Sequence, residues 1–269
     1  MRLACTTNSS PFPPRTREAQ LDEKWAFVAK KEANCDPADP ADARKGDHWD
    51  HVALDPDHRL VVCVVPGKRT AESTGALVRE FHRRTSGRLM DLITTDEYAP
   101  YRGAILEAYG DTVTPPRSGK RGRPRKPFKV PPAGLTYATV HKTRSKGRVT
   151  KVEQRIIFGT AAAVGTALAR SASSRAVNTS FVERQNGTDR NRNARKVRKS
   201  YCFSKDWSVH QAITYFTMYS YNFCWAVRTL RVKTEGGNWR RRTPAMAAGL
   251  ADHVWPLSEW VTLPAVHQK

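Results

Sequence analysis

The sequence predicts an α/β fold, a mixed sheet flanked by helices, and the order of its apolar runs carries that expectation. Three strand-like runs come first with short connections, so antiparallel neighbours are expected among them. An amphipathic helix then precedes a fourth strand, and a helical crossover favours a parallel partner. The chain has 269 residues, 39% of them hydrophobic, including seven Trp and nine Phe, enough to bury a core in one or two domains.

Residues 21–30 read as the first strand, and 31–47 as a polar, irregular loop with repeated Asp-Pro. His51-Val52-Ala53-Leu54, the turn Asp55-Pro56-Asp57-His58 and the run from Leu60 to Val65 form a hairpin signature closed by Gly67. Leu77, Val78 and Phe81 give residues 70–84 a helical stripe, with Thr70 as its cap. The strand over 89–96 ends on Asp96, and a helix follows near 100–109. Residues 111–134 break the pattern with many Pro, Gly, Lys and Arg. Strand-like runs at 135–142 and 148–158, separated by Arg144-Ser145-Lys146-Gly147, predict a second hairpin. A short Ala-rich helix over 160–169 comes next. Another helix spans 180–193, with Asn178 and Thr179 as cap candidates. The last long element runs from 206 to 230, where Val209, Ala212, Ile213, Phe216, Tyr219, Tyr221 and Phe223 predict a well-buried helix. Trp207, Trp225, Trp239, Trp255 and Trp260 read as packing groups.

Lys and Arg number 46 against 25 Asp and Glu, a formal charge of +21 and a pI near 10.2. Such an excess points to a polyanion, nucleic acid before any other. The sequence offers no apolar run that could span a bilayer and no signal peptide, so no membrane partner and a cytoplasmic location are expected. Five scattered cysteines form no Cys-x-x-Cys pair, and His48, His51, His58 and Cys63 match no zinc spacing. No Gly-rich phosphate loop supports ATP use.

Two basic segments stand out. Gly119-Lys120-Arg121-Gly122-Arg123-Pro124-Arg125-Lys126 resembles an AT-hook, in which Arg121 and Arg123 would enter a narrow minor groove and Gly122 would leave room. A solvated linker with general phosphate affinity is the plainer alternative. The second run, residues 184–199, contains Arg184, Arg190 and Lys196, opposed only by Asp189, and reads as a phosphate track.

Three acids are candidates for chemistry. Asp22 lies on the first strand, Asp96 at the tip of a later one, and Glu183 at a helix start. Two Mg²⁺ ions held by such carboxylates could activate a nucleophile and neutralise a leaving 3′-oxygen. Spacing alone leaves open that these are ordinary surface and turn acids.

The segments Leu21-Asp22-Glu23-Lys24-Trp25-Ala26-Phe27-Val28, Thr95-Asp96-Glu97-Tyr98-Ala99-Pro100-Tyr101 and Asn178-Thr179-Ser180-Phe181-Val182-Glu183-Arg184-Gln185-Asn186 resemble, in order, the signature blocks of DDE transposases of bacterial insertion sequences of the insertion-sequence-one type. Tyr221-Asn222-Phe223-Cys224 and Arg242-Thr243-Pro244-Ala245-Met246-Ala247-Ala248-Gly249-Leu250 are similar to the C-terminal blocks of the same group. The resemblance implies a ribonuclease-H-like, mixed five-stranded sheet flanked by helices, with a basic loop and hairpin insertion and a helical C-terminal region. It also implies that Asp22, Asp96 and Glu183 ligate two Mg²⁺ or Mn²⁺ ions and catalyse cleavage at element ends and transfer of the 3′-hydroxyl to target DNA. Arg190, two helical turns beyond Glu183, would contact terminal DNA. A leader over 1–20, a catalytic domain over 21–200 with a basic linker at 111–134, and a C-terminal region over 201–269 are expected. DNA ends, target DNA and a homo-oligomer are the expected partners. About twenty residues precede Asp22, fewer than the recognition module of relatives, so a separate N-terminal DNA-recognition protein is also expected. A ribonuclease-H-like nuclease or integrase, or a DNA-binding remnant without catalysis, would fit many of the same residues.

Overall fold

The computed structural model describes residues 16–116, 125–197 and 199–262. Its centre is a six-stranded mixed sheet. The strands are β1 (Glu18–Val28), β2 (Gly46–Asp55), β3 (Leu60–Gly67), β4 (Leu92–Asp96), β7 (Tyr137–Ser145) and β8 (Arg148–Phe158), in the order β3-β2-β1-β4-β7-β8. β1, β2 and β3 are antiparallel neighbours, β4 runs parallel to both β1 and β7, and β8 returns antiparallel to β7. The hairpin expected after residue 135 therefore adds one strand more than the five that the family resemblance implies: its second arm pairs along the full edge of β7. Gly159 ends that arm at φ +87, where a Cβ would meet the Leu135 carbonyl at 3.2 Å.

Helices cover both faces of the sheet. On one face α1 (Ala71–Arg84) and α2 (Pro100–Tyr109) bury Leu77, Phe81, Tyr101 and Ile105 against Ala19, Leu21, Ala53 and Ile93. On the other, α3 (Ala161–Arg170) packs Val164 and Ala167 on Leu92, Ala138 and Val140. There too α4 (Ser180–Arg192) and α5 (Trp207–Cys224) set Val182, Met218 and Tyr221 on Val52, Leu54, Val61 and Val64. The side-chain alternation of β1 follows from this layering. Ala19 and Leu21 point toward α1 and α2, so Gln20, Asp22 and Lys24 point toward α4. Thr70 caps α1 as expected, and Thr160 and Asp206 cap α3 and α5 in the same way with side-chain oxygens.

Smaller elements complete the chain. β5 (Asp111–Val113) and β6 (Phe128–Val130) form a short antiparallel ladder inside the segment expected to be irregular. β9 (Val232–Lys233) and β10 (Trp239–Arg240) make a second two-stranded ribbon, followed by the short helices α6 (Pro244–Ala247) and α7 (Leu257–Thr262). Phe223 and Trp255 join α5 to the C-terminal region, with ring centroids 4.6 Å apart. Among the described residues, no helix is long and apolar enough to cross a membrane.

Helix α5 differs from its expected character. It ends at Cys224, six residues before the sequence suggests, and its buried face is mainly polar: His210, Thr214, Thr217, Ser220 and Asn222. Val209 and Tyr215 are exposed instead. The reason is a charge network under the helix. Lys24 pairs with Asp50 at 3.2 Å and with Asp189, and Lys196 pairs with Asp50 at 2.8 Å, all four with side chains 0–1% exposed. Buried charges need donors and acceptors around them, and α5 supplies these. Thr217 donates to Asp189 at 2.8 Å, and His210 Nε2 accepts from the Lys196 ammonium at 2.7 Å. An ammonium has only protons to give, so the His210 proton sits on Nδ1, facing Ser204 Oγ at 3.1 Å. Burial and neighbouring Lys196 hold this imidazole neutral, with its pKa pushed down to about 3. Burial works to raise the Asp50 pKa, but Lys196 and Lys24 outweigh it and hold the carboxyl well below its ordinary value.

Candidate active site

The register of β1 against β4 builds the site. Their parallel pairing ends at Leu21 opposite Thr95, so Asp22 and Asp96 follow side by side where β4 stops. Past that point no strand of the described residues lies between β1 and β7, and a cleft of about 750 Å³ opens. It lies beyond the carboxyl end of β4, between β1 and β7 as they run on. Asp22, Asp96 and Glu183, 161 positions apart end to end along the chain, all line it, with Arg190 on the same wall.

The strand positions α4 through three successive contacts. Gln20 Oε1 accepts from the backbone N–H groups of Phe181 and Val182 at 3.1 and 3.2 Å, capping the helix start. Asn186 donates to Asp22 at 2.8 Å, and Lys24 donates to Asp189. Same-face residues on a strand recur about every 6.6 Å, and three to four helical residues rise about 4.5–6 Å. Positions 20, 22 and 24 therefore meet successive turns of a helix lying along the strand. Asn178 adds a second brace, accepting from Ser180 N at 3.0 Å and from Gln20 Nε2 at 3.2 Å. Gly187 lies inside α4, and a Cβ there would meet nothing within 4 Å.

The electrostatics are those of crowded carboxylates. Burial, then Asp96 and Glu23, push the Asp22 pKa up to about 7, with Glu183 adding to the same direction. Burial also raises Asp96, against a backbone donor from Tyr98 and the Arg69 charge. Glu23 is raised by burial and by Asp96, while Tyr101 and Arg69 oppose the shift. Arg69 lies 3.2 Å from Glu23 and 3.9 Å from Asp96. On the opposite side, Lys142 pairs with Glu183, whose Oε1 also accepts from Thr179 Oγ1 at 2.6 Å.

Glu23 is the residue that sequence reasoning missed. It faces the α2 side of β1, opposite to Asp22, yet one ligand atom each from Asp22, Glu23 and Asp96 lie within 4.8 Å of one another. The end of β4 makes this possible, because side chains from both faces of β1 can meet around it. These donors fit a hard divalent cation: they are all oxygen, closely grouped, and their crowding raises the Asp22 pKa, which added positive charge would lower. Glu183 shares the cleft but stands outside that tight group, held by Lys142 and Thr179.

The expected nucleic-acid contacts divide. Arg190 lines the cleft with Glu183, as its position seven residues later on one continuous helix requires. Arg184 is exposed and lines a separate groove on the other flank of α4. Lys196 is not a surface cation at all. Its side chain is fully buried on Asp50, so the phosphate track stops short of it. Arg121 and Arg123 lie outside the described residues. Trp225 and Trp239, expected to pack, are 47% and 50% exposed. No protein-family model and no curated protein matches the chain.

Proposed function

We propose that this chain is the catalytic part of a DDE-type DNA transposase with a ribonuclease-H-like fold, cutting at element ends and joining the freed 3′-hydroxyl to target DNA. One observation carries the reading: Asp22, Asp96 and Glu183, from a central strand, the tip of its parallel neighbour and a crossing helix, converge on one cleft. The strand order is compatible with that fold if β7 takes the fifth place and β8 is an added edge strand. The charge of +21 agrees with a polyanionic substrate.

Asp22, Glu23 and Asp96 would hold Mg²⁺ or Mn²⁺, with Glu183 completing the set from the cleft's other wall. Bound there, the ions supply Lewis-acid activation of the attacking hydroxyl and neutralise charge on the leaving oxygen. The chain's own residues orient the rest. Asn186 fixes the Asp22 carboxylate, Thr179 and Lys142 fix that of Glu183, and Arg69 and Arg190 offer guanidinium forks to phosphate oxygens beside the acids. The same groups serve strand cleavage and strand transfer, because both displace an oxygen at a phosphodiester.

The test uses donor DNA made from the segments that flank the coding region, a target plasmid and Mg²⁺. The wild-type protein should yield products joined through 3′-hydroxyl ends. Asp96→Asn and Glu183→Gln should lose them while still binding duplex DNA. Undiminished joining by Glu183→Gln would overturn the proposal.

A further inference from the structure

The flank of α4 turned away from the acidic cleft forms a second groove of about 610 Å³. We propose that it binds an unpaired nucleotide of the DNA strand, the base stacked on the Trp225 indole and its phosphate held by guanidinium groups. The inference rests on DNA being the substrate, as proposed above, and adds a second contact for it.

Three aromatic residues, Phe181, Tyr221 and Trp225, line the groove together with Arg59, Arg184 and Arg228. Among the described residues no Asp or Glu lines it, in contrast to the cleft, where five acids do. Rings and guanidinium groups already interleave. Arg59 lies 3.9 Å from the Phe181 centroid, and Arg192 lies 4.8 Å from that of Trp225. Trp225 leaves 47% of its surface open, a large apolar face beside fixed positive charge. Stacking rings combined with cations and free of carboxylates is the chemistry of single-strand recognition. The volume suits one small planar ligand and its phosphate, and it is too small for a duplex. An acidic peptide would satisfy the arginines but leave the open face of Trp225 without a stacking partner. The groove also shares α4 with the cleft: Phe181, Arg184 and Thr188 face one, Glu183, Asn186 and Arg190 the other. A strand crossing α4 would reach both.

The test is fluorescence anisotropy of a labelled oligothymidylate of about eight nucleotides, in EDTA so that neither metal nor cleavage enters. Trp225→Ala should weaken binding by about 10-fold, Trp225→Phe should restore most of it, and Arg184→Ala should weaken it with a shallower salt dependence. Blunt duplex affinity should be unchanged by Trp225→Ala. Equal oligonucleotide affinity for wild type and Trp225→Ala would overturn the inference, as would displacement by polyglutamate at the concentrations at which unlabelled oligothymidylate competes. Trp225-dependent binding without any strand joining would uphold the groove and sink the enzymatic reading. Strand joining with no effect of Trp225→Ala on oligonucleotide binding would do the reverse.

Discussion

Replacing Asp22 by Asn should stabilise the metal-free protein at neutral and alkaline pH. The Asp22 carboxyl titrates at about 7 in the folded chain against an ordinary 3.8, because it is buried and faces Asp96, Glu23 and Glu183. Below the ordinary value, both folded and unfolded chains hold the proton and nothing is lost. Between about 4 and 7 the unfolded chain releases it while the folded chain retains it, so stability falls as pH rises. Above 7 the penalty is constant. The gap is about three pH units, and each unit corresponds to about 1.36 kcal/mol, so the upper bound is about 4 kcal/mol. Asp96 and Glu23 share the field and can relax part of it, which makes a gain of about 2–4 kcal/mol the expectation. For a chain of this size that is on the order of 5–10 °C in Tm. Asn keeps the shape and still accepts from Asn186. Thermal unfolding in EDTA from pH 4 to 8.5 measures the effect: the two Tm curves should coincide near pH 4 and separate toward pH 8. Mn²⁺ should then close the gap by stabilising the wild type more than the variant. Parallel curves across the whole range would refute the crowded-carboxylate account.

Further perturbations probe the supports around the acids. Gln20→Leu removes the acceptor for two helix N–H groups and should cost about 1–3 kcal/mol, with strand joining falling further than duplex binding because α4 carries Glu183; urea unfolding and the joining assay read both. Lys196→Met leaves Asp50 short of one buried partner and should destabilise by about 3–5 kcal/mol, while the salt dependence of DNA binding stays that of the wild type. Arg190→Gln should weaken duplex binding and reduce the slope of log affinity against log salt by about 1, read by a salt titration of binding.

The sequence made the framework legible where local pattern and global position agree. Short connections marked β1–β3 as antiparallel, the α1 stripe marked a crossover, and Asp96 at a strand tip next to a helix start pointed to the cleft. Glu23 was hidden because alternation along β1 assigns it to the far face; only the early end of β4 lets it join Asp22. Lys196 read as one cation in a basic run, since its partners Asp50 and His210 lie 146 residues before it and 14 after it. The inward face of α5 was obscure for the same reason. Its threonines and histidine are buried to serve charges from β1, β2 and α4, a requirement that no window of the sequence contains. The sixth strand was legible as the outer arm of the hairpin after residue 135, whose Val149, Val152 and Ile156 mark a strand although they are exposed.

The account stands on Asp22, Asp96 and Glu183 acting together on a divalent cation. Electron paramagnetic resonance of free Mn²⁺, titrated with protein at pH 7.5, measures that directly. Wild-type protein should deplete the free-ion signal, and Asp22→Asn, Asp96→Asn and Glu183→Gln should each leave more of it. Equal depletion by wild type and all three variants would contradict the account.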